Sequence, residues 1–153
     1  MFLSLTTPVL AQIQSERQEE AERLLDLCRE HLRKNQFESA LESCQQALSS
    51  YQEIKDRSGE AKSMTNLGIA YLRSGKSNQG ISTLEMALKI ARDIGEQRVE
   101  AIALRQLGIS YISLEQSQQG TDFLQQALTI AQEIGETDLA IKINCLLPST
   151  QKA

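Results

Sequence analysis

The stretch NLGIAYLRSG, Asn66–Gly75, places a glycine in the middle of a segment whose apolar residues have helical spacing. A glycine inside a helix costs roughly 1 kcal/mol relative to alanine, so a packing contact must offset that cost. The same arrangement returns 40 residues later, where Gly108 takes the place of Gly68 and Tyr111 takes the place of Tyr71. The sequence therefore contains an internal repeat.

The repeat has a period of 40 residues. Residues 61–100 and 101–140 are identical at 16 of 40 aligned positions, and residues 21–60 match them more weakly. The predicted units are about 21–60, 61–100 and 101–140, within a repeat domain that spans 12–147 and closes with a capping helix at about 138–147. Residues 148–153 are predicted to form a tail. Terminal units of a repeat array are often atypical because one face meets water.

Each unit is predicted to contain two helices. No proline occurs between Pro8 and Pro148, and the chain is rich in Ala, Leu, Gln and Glu, which favours an all-α fold. Gly68 and Gly80 lie on either side of a predicted turn near Lys76, so that two antiparallel helices can approach closely at these small residues. The second helix is expected to end at a left-handed glycine, as at Gly95.

The Leu-Gly, Tyr, Gly, Leu and Ala positions of this pattern resemble the tetratricopeptide repeat. In the second unit they are Leu67, Gly68, Tyr71, Gly80, Leu84 and Ala87. The 40-residue period exceeds the family's usual 34 residues and resembles the longer variant found in kinesin light chains and in many bacterial proteins. The resemblance implies a right-handed α-solenoid of about three helix-turn-helix units, with the first helix of each unit lining a concave face.

The resemblance also implies a non-enzymatic scaffold or adaptor that binds a peptide or partner protein in the concave groove. The alternative is a structural subunit that self-associates or joins a larger envelope complex. Asn66 matches an asparagine that in this family commonly binds the backbone of a bound peptide. The predicted groove is lined by basic and apolar residues, so a partner segment with acidic and apolar side chains is expected. By the family's pattern the groove residues are Arg29, Arg33, Lys62, Thr65, Asn66, Ile69, Leu72, Arg73, Arg105, Gln106, Ile109 and Ile112.

Composition and motifs favour few other functions. The formal net charge of −4 gives no general attraction to nucleic acid, and no apolar run has the roughly 18 residues of a membrane helix. Metal-binding spacings are absent, and neither a catalytic residue nor a cofactor is predicted. The single histidine, His31, lies three residues from Cys28, but its slot is that of Tyr71, which indicates a packing role.

The N-terminus leaves two interpretations open. Residues 1–11 are apolar and uncharged, and Val9-Leu10-Ala11 precedes Gln12 as in the tail of a secretory signal peptide. This would make the protein exported or periplasmic, with a mature chain that begins near Gln12. The other interpretation is a disordered tail on a cytoplasmic protein. Ser15 and Gln18 have the spacing of a capping box at the start of the first helix.

The repeat register places Cys28 and Cys44 on facing helices of the first unit. They occupy the positions of Gly68 and Leu84, on either side of a turn near Gln36. In an oxidising compartment they could form a disulfide and leave Cys145 free. The alternative is that they are two small buried apolar residues.

Overall fold

The computed structural model describes residues 7–149 and contains, within that range, seven α-helices and no strand. Consecutive helices pack as antiparallel hairpins, and α3 also contacts both α1 and α5, so the hairpins stack side by side. The all-α repeat solenoid expected from the sequence is confirmed. We call α1, α3 and α5 the A helices, and α2, α4 and α6 the B helices. The helices are α1 Thr7–Arg33, α2 Phe37–Glu53, α3 Arg57–Arg73, α4 Ser77–Ile94, α5 Gln97–Ser113, α6 Ser117–Glu133 and α7 Thr137–Asn144.

The six turns between helices share one geometry. A residue with positive φ recurs every 20 positions: Asn35, Lys55, Gly75, Gly95, Glu115 and Gly135. At each turn this residue's N–H and the following N–H bond back to carbonyls of the last helical turn, as in Gly95 N to Arg92 O and Glu96 N to Ala91 O. This is the Schellman pattern, which satisfies carbonyls that a helix end leaves unpaired. The predicted left-handed C-cap at Gly95 is confirmed.

The glycines inside the helices are contact points between A and B helices. An ideal Cβ on Gly68 would lie 2.7 Å from Leu84 Cγ and 3.2 Å from the carbonyl oxygen of Gly80. A Cβ on Gly80 would lie 3.0 Å from the carbonyl oxygen of Gly68. The third hairpin repeats the arrangement at Gly108 and Gly120. Close backbone approach therefore explains why these helices contain glycine despite its low helix propensity.

In the first hairpin, the contact between α1 and α2 is made by residues other than glycine. Cys28 and Cys44 form a disulfide between α1 and α2, with their Cα atoms 4.9 Å apart, and both are fully buried. The pair fills the space that Gly68 and Leu84 share in the second hairpin. Ala40 stands where Gly80 stands. Cys145 is free and exposed, just beyond α7.

Both ends of the domain differ from the sequence-based boundaries, and at the C-terminal end α7 stops at Asn144 rather than near residue 147. Helix α1 begins at Thr7 and has 27 residues, against 17 in α3, so residues 7–11 are helical. Ser15 and Gln18 lie inside α1, so the expected helix start there is wrong. Pro8 lies in the first turn, where its missing N–H costs no helical hydrogen bond. Residues 1–6 and 150–153 fall outside the described residues.

The buried core extends along the solenoid in successive clusters. One buried cluster runs from Cys28 and Leu32 of the first hairpin, through Met64 and Leu67, to Val99 at the start of α5. A second cluster joins Leu84 and Leu88 of α4 to α5, α6 and α7. Each hairpin thus buries its apolar face against the next one, as expected for stacked repeats. Between residues 7 and 149 no helix is both long enough and apolar enough to cross a membrane.

Candidate partner-binding groove

The A helices enclose a groove of about 430 Å³. Arg29 of α1 forms one wall, and Lys62 and Asn66 of α3 form the floor. Val99 and Ile102 of α5 close the other side. Residues from three successive units therefore meet in one concavity, as the repeat pattern predicts for first helices.

Most cations in this groove have an acidic partner. Lys62 Nζ lies 3.9 Å from Glu96 Oε1, and Arg29 Nη1 lies 2.9 Å from Asp26 Oδ1. Arg98 Nε donates to Glu136 Oε1 at 2.7 Å. These pairs are partly exposed, so each contributes little to stability. They nevertheless make this part of the groove nearly neutral.

The acidic partners form a ladder that the sequence analysis did not identify. Side chains 40 residues apart, on α1, α3 and α5, each donate to an acidic residue 38 positions later, which directly precedes α3, α5 or α7. The pairs are Gln18 Nε2 to Asp56 Oδ2, Ser58 Oγ to Glu96 Oε1, and Arg98 Nε to Glu136 Oε1. The signal was present in the sequence, because an acidic residue recurs every 40 positions at 56, 96 and 136.

The polar residues of α3 are held by their own helix. Asn66 is half-buried, and its Nδ2 donates to the carbonyl oxygen of Lys62 at 2.9 Å. No donor in residues 7–149 bonds its Oδ1, so this oxygen can accept a hydrogen bond from a ligand. Thr65 borders the groove but is buried, and its Oγ1 donates to Ala61 O at 2.8 Å. Thr65 therefore contributes wall surface and no free hydroxyl.

Arg73 and Arg105 lie farther along the concave face. Arg73 Nη1 donates to the carbonyl oxygen of Leu32 at 3.1 Å, across the boundary between α1 and α3. Arg105 is half-buried, and its Nε is shielded from solvent with no acceptor among the described residues. Burial lowers the pKa of Arg105 below its ordinary value, and the nearby charge of Arg73 lowers it further. The two guanidinium groups therefore repel each other without a carboxylate between them.

The apolar groove residues separate into two groups. Ile69 and Ile109 are half-buried on the A helices, as is the neighbouring Gln106. Leu72 and Ile112 also contact the B helices, but neither is buried: Leu72 is half-buried and Ile112 is 36% exposed. Leu72 covers Gly80, and Ile112 covers Gly120, because the B-helix glycines leave room there for side chains of the A helix. Arg33, the last residue of α1, is exposed.

His31 has a structural environment. Its Nδ1 lies 3.0 Å from Ser43 Oγ and 3.1 Å from the carbonyl oxygen of Ser39, both on α2. The sulfur of Cys28 is bonded to Cys44, so it does not pair with this histidine. His31 thus bridges the two helices of the first hairpin. Among residues 7–149 no group of three or more His, Cys, Asp or Glu side chains could hold a metal ion.

The repeat spacing, the hairpin geometry and the A-helix groove agree with a comparison to known families. The family model described as "Tetratricopeptide repeat" matches residues 30–93. This match and the repeat geometry support a protein of the tetratricopeptide-repeat family. Members of this family are generally non-catalytic modules for protein–protein interaction. No curated protein sequence matches this chain.

Solved structures support the same fold. The TPR domain of Arabidopsis FLU is 23% identical with a TM-score of 0.70, and the match covers 76% of this chain and 98% of that one. BtubC (BKLC) from P. vanneervenii is 19% identical with a TM-score of 0.69, and the match covers 87% of this chain and 61% of BtubC. A putative kinesin light chain from Podosopora anserina, with nearly identical TPR-like repeats, is 18% identical with a TM-score of 0.62. That match covers 75% of this chain and 56% of the other.

At these identities the comparisons concern the fold alone. This chain spans only 61% of BtubC and 56% of the kinesin light chain structure. Properties of those longer chains are not transferred to it.

Proposed function

We propose that this chain is a non-enzymatic interaction module whose concave A-helix face holds a segment of a partner protein. The observation that carries the proposal is the groove of about 430 Å³ to which three successive A helices contribute. It offers a free acceptor on Asn66, half-buried apolar surface at Ile102, and two guanidinium groups beyond them. An extended or helical segment with acidic and apolar side chains complements this surface.

The test is groove-dependent capture of a partner. Asn66→Ala with Arg105→Glu removes the free acceptor and reverses a charge on the concave face. The matched control is Gln125→Ala with Lys89→Glu, which makes the same net charge change at exposed positions of the B helices. Proteins captured by the parent and the control, but at least about tenfold less by the groove variant, would support the proposal.

Two further measurements make this experiment decisive. A photo-crosslinking residue at Ile102 should label the captured protein, whereas the same residue at the exposed Met86 of α4 should not. Far-UV circular dichroism must show equal helical content in all variants. Equal capture by the groove variant and the parent, with labelling from Met86, would place binding on the B-helix face and refute the proposal.

A second candidate is a self-associating or assembly subunit. The observation that favours it lies at the C-terminal end, where a groove between α6 and α7 is lined by Leu128, Ala131 and Ala140. Ile141 beside it is 57% exposed, which is unusual for a large apolar side chain next to such a groove. Sedimentation analysis across concentrations distinguishes the two candidates. A mass that rises with concentration, and an Ile141→Lys variant that stays monomeric, would favour assembly.

We also propose that the protein is exported to an oxidising compartment. The Cys28–Cys44 disulfide supports this, because such bonds persist mainly outside the reducing cytosol. Intact mass of the protein purified from its source is the test. Export predicts a bonded pair and a mature chain that begins near Gln12. Soluble cytoplasmic protein that retains residues 1–11 would contradict it.

A further inference from the structure

Arg73 and Arg105 differ from most other cations of the concave face. Arg29, Lys62 and Arg98 each have a carboxylate within 4.0 Å. No carboxylate in residues 7–149 lies within this distance of either Arg73 or Arg105. On the concave face of residues 7–149, unpaired positive charge therefore lies at Arg73 and Arg105, and also at Arg33, which is exposed at the end of α1.

The environment of Arg105 strengthens its attraction for an anion. Its half-buried side chain has already lost part of its hydration, and its Nε has no acceptor. An ion pair gains more in such a partly desolvated place than at an open surface, because water screens it less. A bound anion would also relieve the repulsion between the two guanidinium groups. Both effects favour a ligand with a single concentrated negative charge.

Apolar groups flank this charge. Ile69 lies one helical turn before Arg73 on α3, and Ile109 lies one turn after Arg105 on α5, so each isoleucine shares a face with its arginine. Both isoleucines are half-buried. A small or purely ionic ligand would leave this apolar surface uncovered, whereas an acidic residue within a peptide brings apolar neighbours with it.

Building on the proposed groove function, we propose that Arg73 and Arg105 together bind the carboxylate of one Asp or Glu in the partner segment. Ile69 and Ile109 receive an adjacent apolar side chain of the same segment. A carboxylate accepts two parallel N–H bonds from a guanidinium, which gives the contact directional selectivity as well as strength. The acidic residue is therefore the position at which this module discriminates among segments.

The experiment uses the full chain and a fluorescent positional-scanning library of peptides about ten residues long, enough to cross the groove when extended. The parent should prefer Asp or Glu over Asn or Gln at one position, next to a preferred apolar residue. In Arg73→Gln with Arg105→Gln this acid preference should fall about tenfold, whereas the apolar preference should remain. The control is Arg17→Gln with Lys89→Gln, two exposed cations that make no ion pair among residues 7–149, which changes the net charge equally and should leave both preferences intact.

Two additional variants address folding and specificity. Arg73 also bonds Leu32, so Arg105→Gln alone is measured to show that the loss does not depend on that contact. Arg105→Glu should shift the preferred residue at the same peptide position from an acid to Lys. This charge exchange would not follow from a merely structural role of Arg105.

The outcomes separate this site from the groove function. Peptides that bind with an apolar preference but no acid preference, or with an acid preference unchanged in the double variant, would refute the two-arginine site and leave the groove function standing. A stronger preference for phosphoserine than for Asp or Glu would replace the carboxylate by a phosphate and overturn the proposal. Absence of binding by every peptide would contradict the groove function and the site with it.

Discussion

Tyr51 and Gly59 allow a direct test of how the hairpins are joined. Tyr51 of α2 is buried, and a Cβ on Gly59 of α3 would overlap its ring carbons Cγ, Cδ1 and Cε1. One repeat later, Ala91 and Val99 occupy the equivalent positions, so the large and small residues have changed places across the boundary. The two boundaries fill the same space in opposite ways, which predicts that the residues are strongly coupled.

Single substitutions should each be costly. Gly59→Val forces atoms into the Tyr51 ring, and overpacking of this kind costs about 1–3 kcal/mol of unfolding free energy. Tyr51→Ala leaves a cavity, and removal of a large buried aromatic side chain costs about 3–5 kcal/mol. The double variant recreates the Ala–Val pair of the next boundary. We expect it to be at least about 2 kcal/mol more stable than the sum of the two single effects predicts, because each change relieves the other.

Urea unfolding followed by far-UV circular dichroism measures this coupling, with the repeat array fitted as neighbouring units where unfolding is not two-state. The control cycle pairs Gly59→Val with Tyr71→Ala. Tyr71 is a half-buried tyrosine on the same helix, and a Cβ on Gly59 would not contact it. Those effects should add. If the effects of Gly59→Val and Tyr51→Ala also add, the two residues do not fill one shared space between α2 and α3, and the reasoning is refuted.

Four other predictions follow from single features of the fold. Glu115→Gly should raise the unfolding free energy by about 1 kcal/mol in urea melts, because position 115 has φ 63° and glycine adopts that conformation without strain; a lower midpoint would show that Glu115 makes a compensating interaction. Gly120→Ala should destabilise the third hairpin by about 1–3 kcal/mol, because its Cβ would meet backbone atoms of α5, and an unchanged thermal midpoint would contradict this close approach. Burial, with the charges of Glu22 and Asp56 as lesser causes, raises the pKa of Tyr51 to about 12, so the unfolded chain loses this proton first as pH rises. Stability should therefore fall between about pH 10 and 12 by on the order of 2 kcal/mol, and Tyr51→Phe should show a smaller fall in alkaline melts. Reduction of the Cys28–Cys44 disulfide should lower the unfolding free energy by about 3 kcal/mol, and equal melts of oxidised and reduced protein, with a thiol count to verify reduction, would contradict it.

Local pattern was sufficient to predict the hairpins. The 40-residue period, the proline-free interior and the recurring glycines specify helices, turns and the place where paired helices touch, because these depend on residues close in sequence. The turns at Lys55 and Glu115 were less visible, since neither carries the glycine that marks Gly75, Gly95 and Gly135. The Schellman hydrogen bonds stabilise these two turns even so.

The sequence by itself determined the family pattern, the facing helices of the two bonded cysteines and the concave position of the A-helix residues. Only the tertiary structure decided which of those residues keep a polar or charged group free to bind a ligand. Thr65 bonds its own helix, and Lys62 lies 3.9 Å from the carboxylate of Glu96 in the turn before α5. Arg105 is left without one. These outcomes depend on side chains from neighbouring repeats, which lie far apart in sequence and meet only when the hairpins stack.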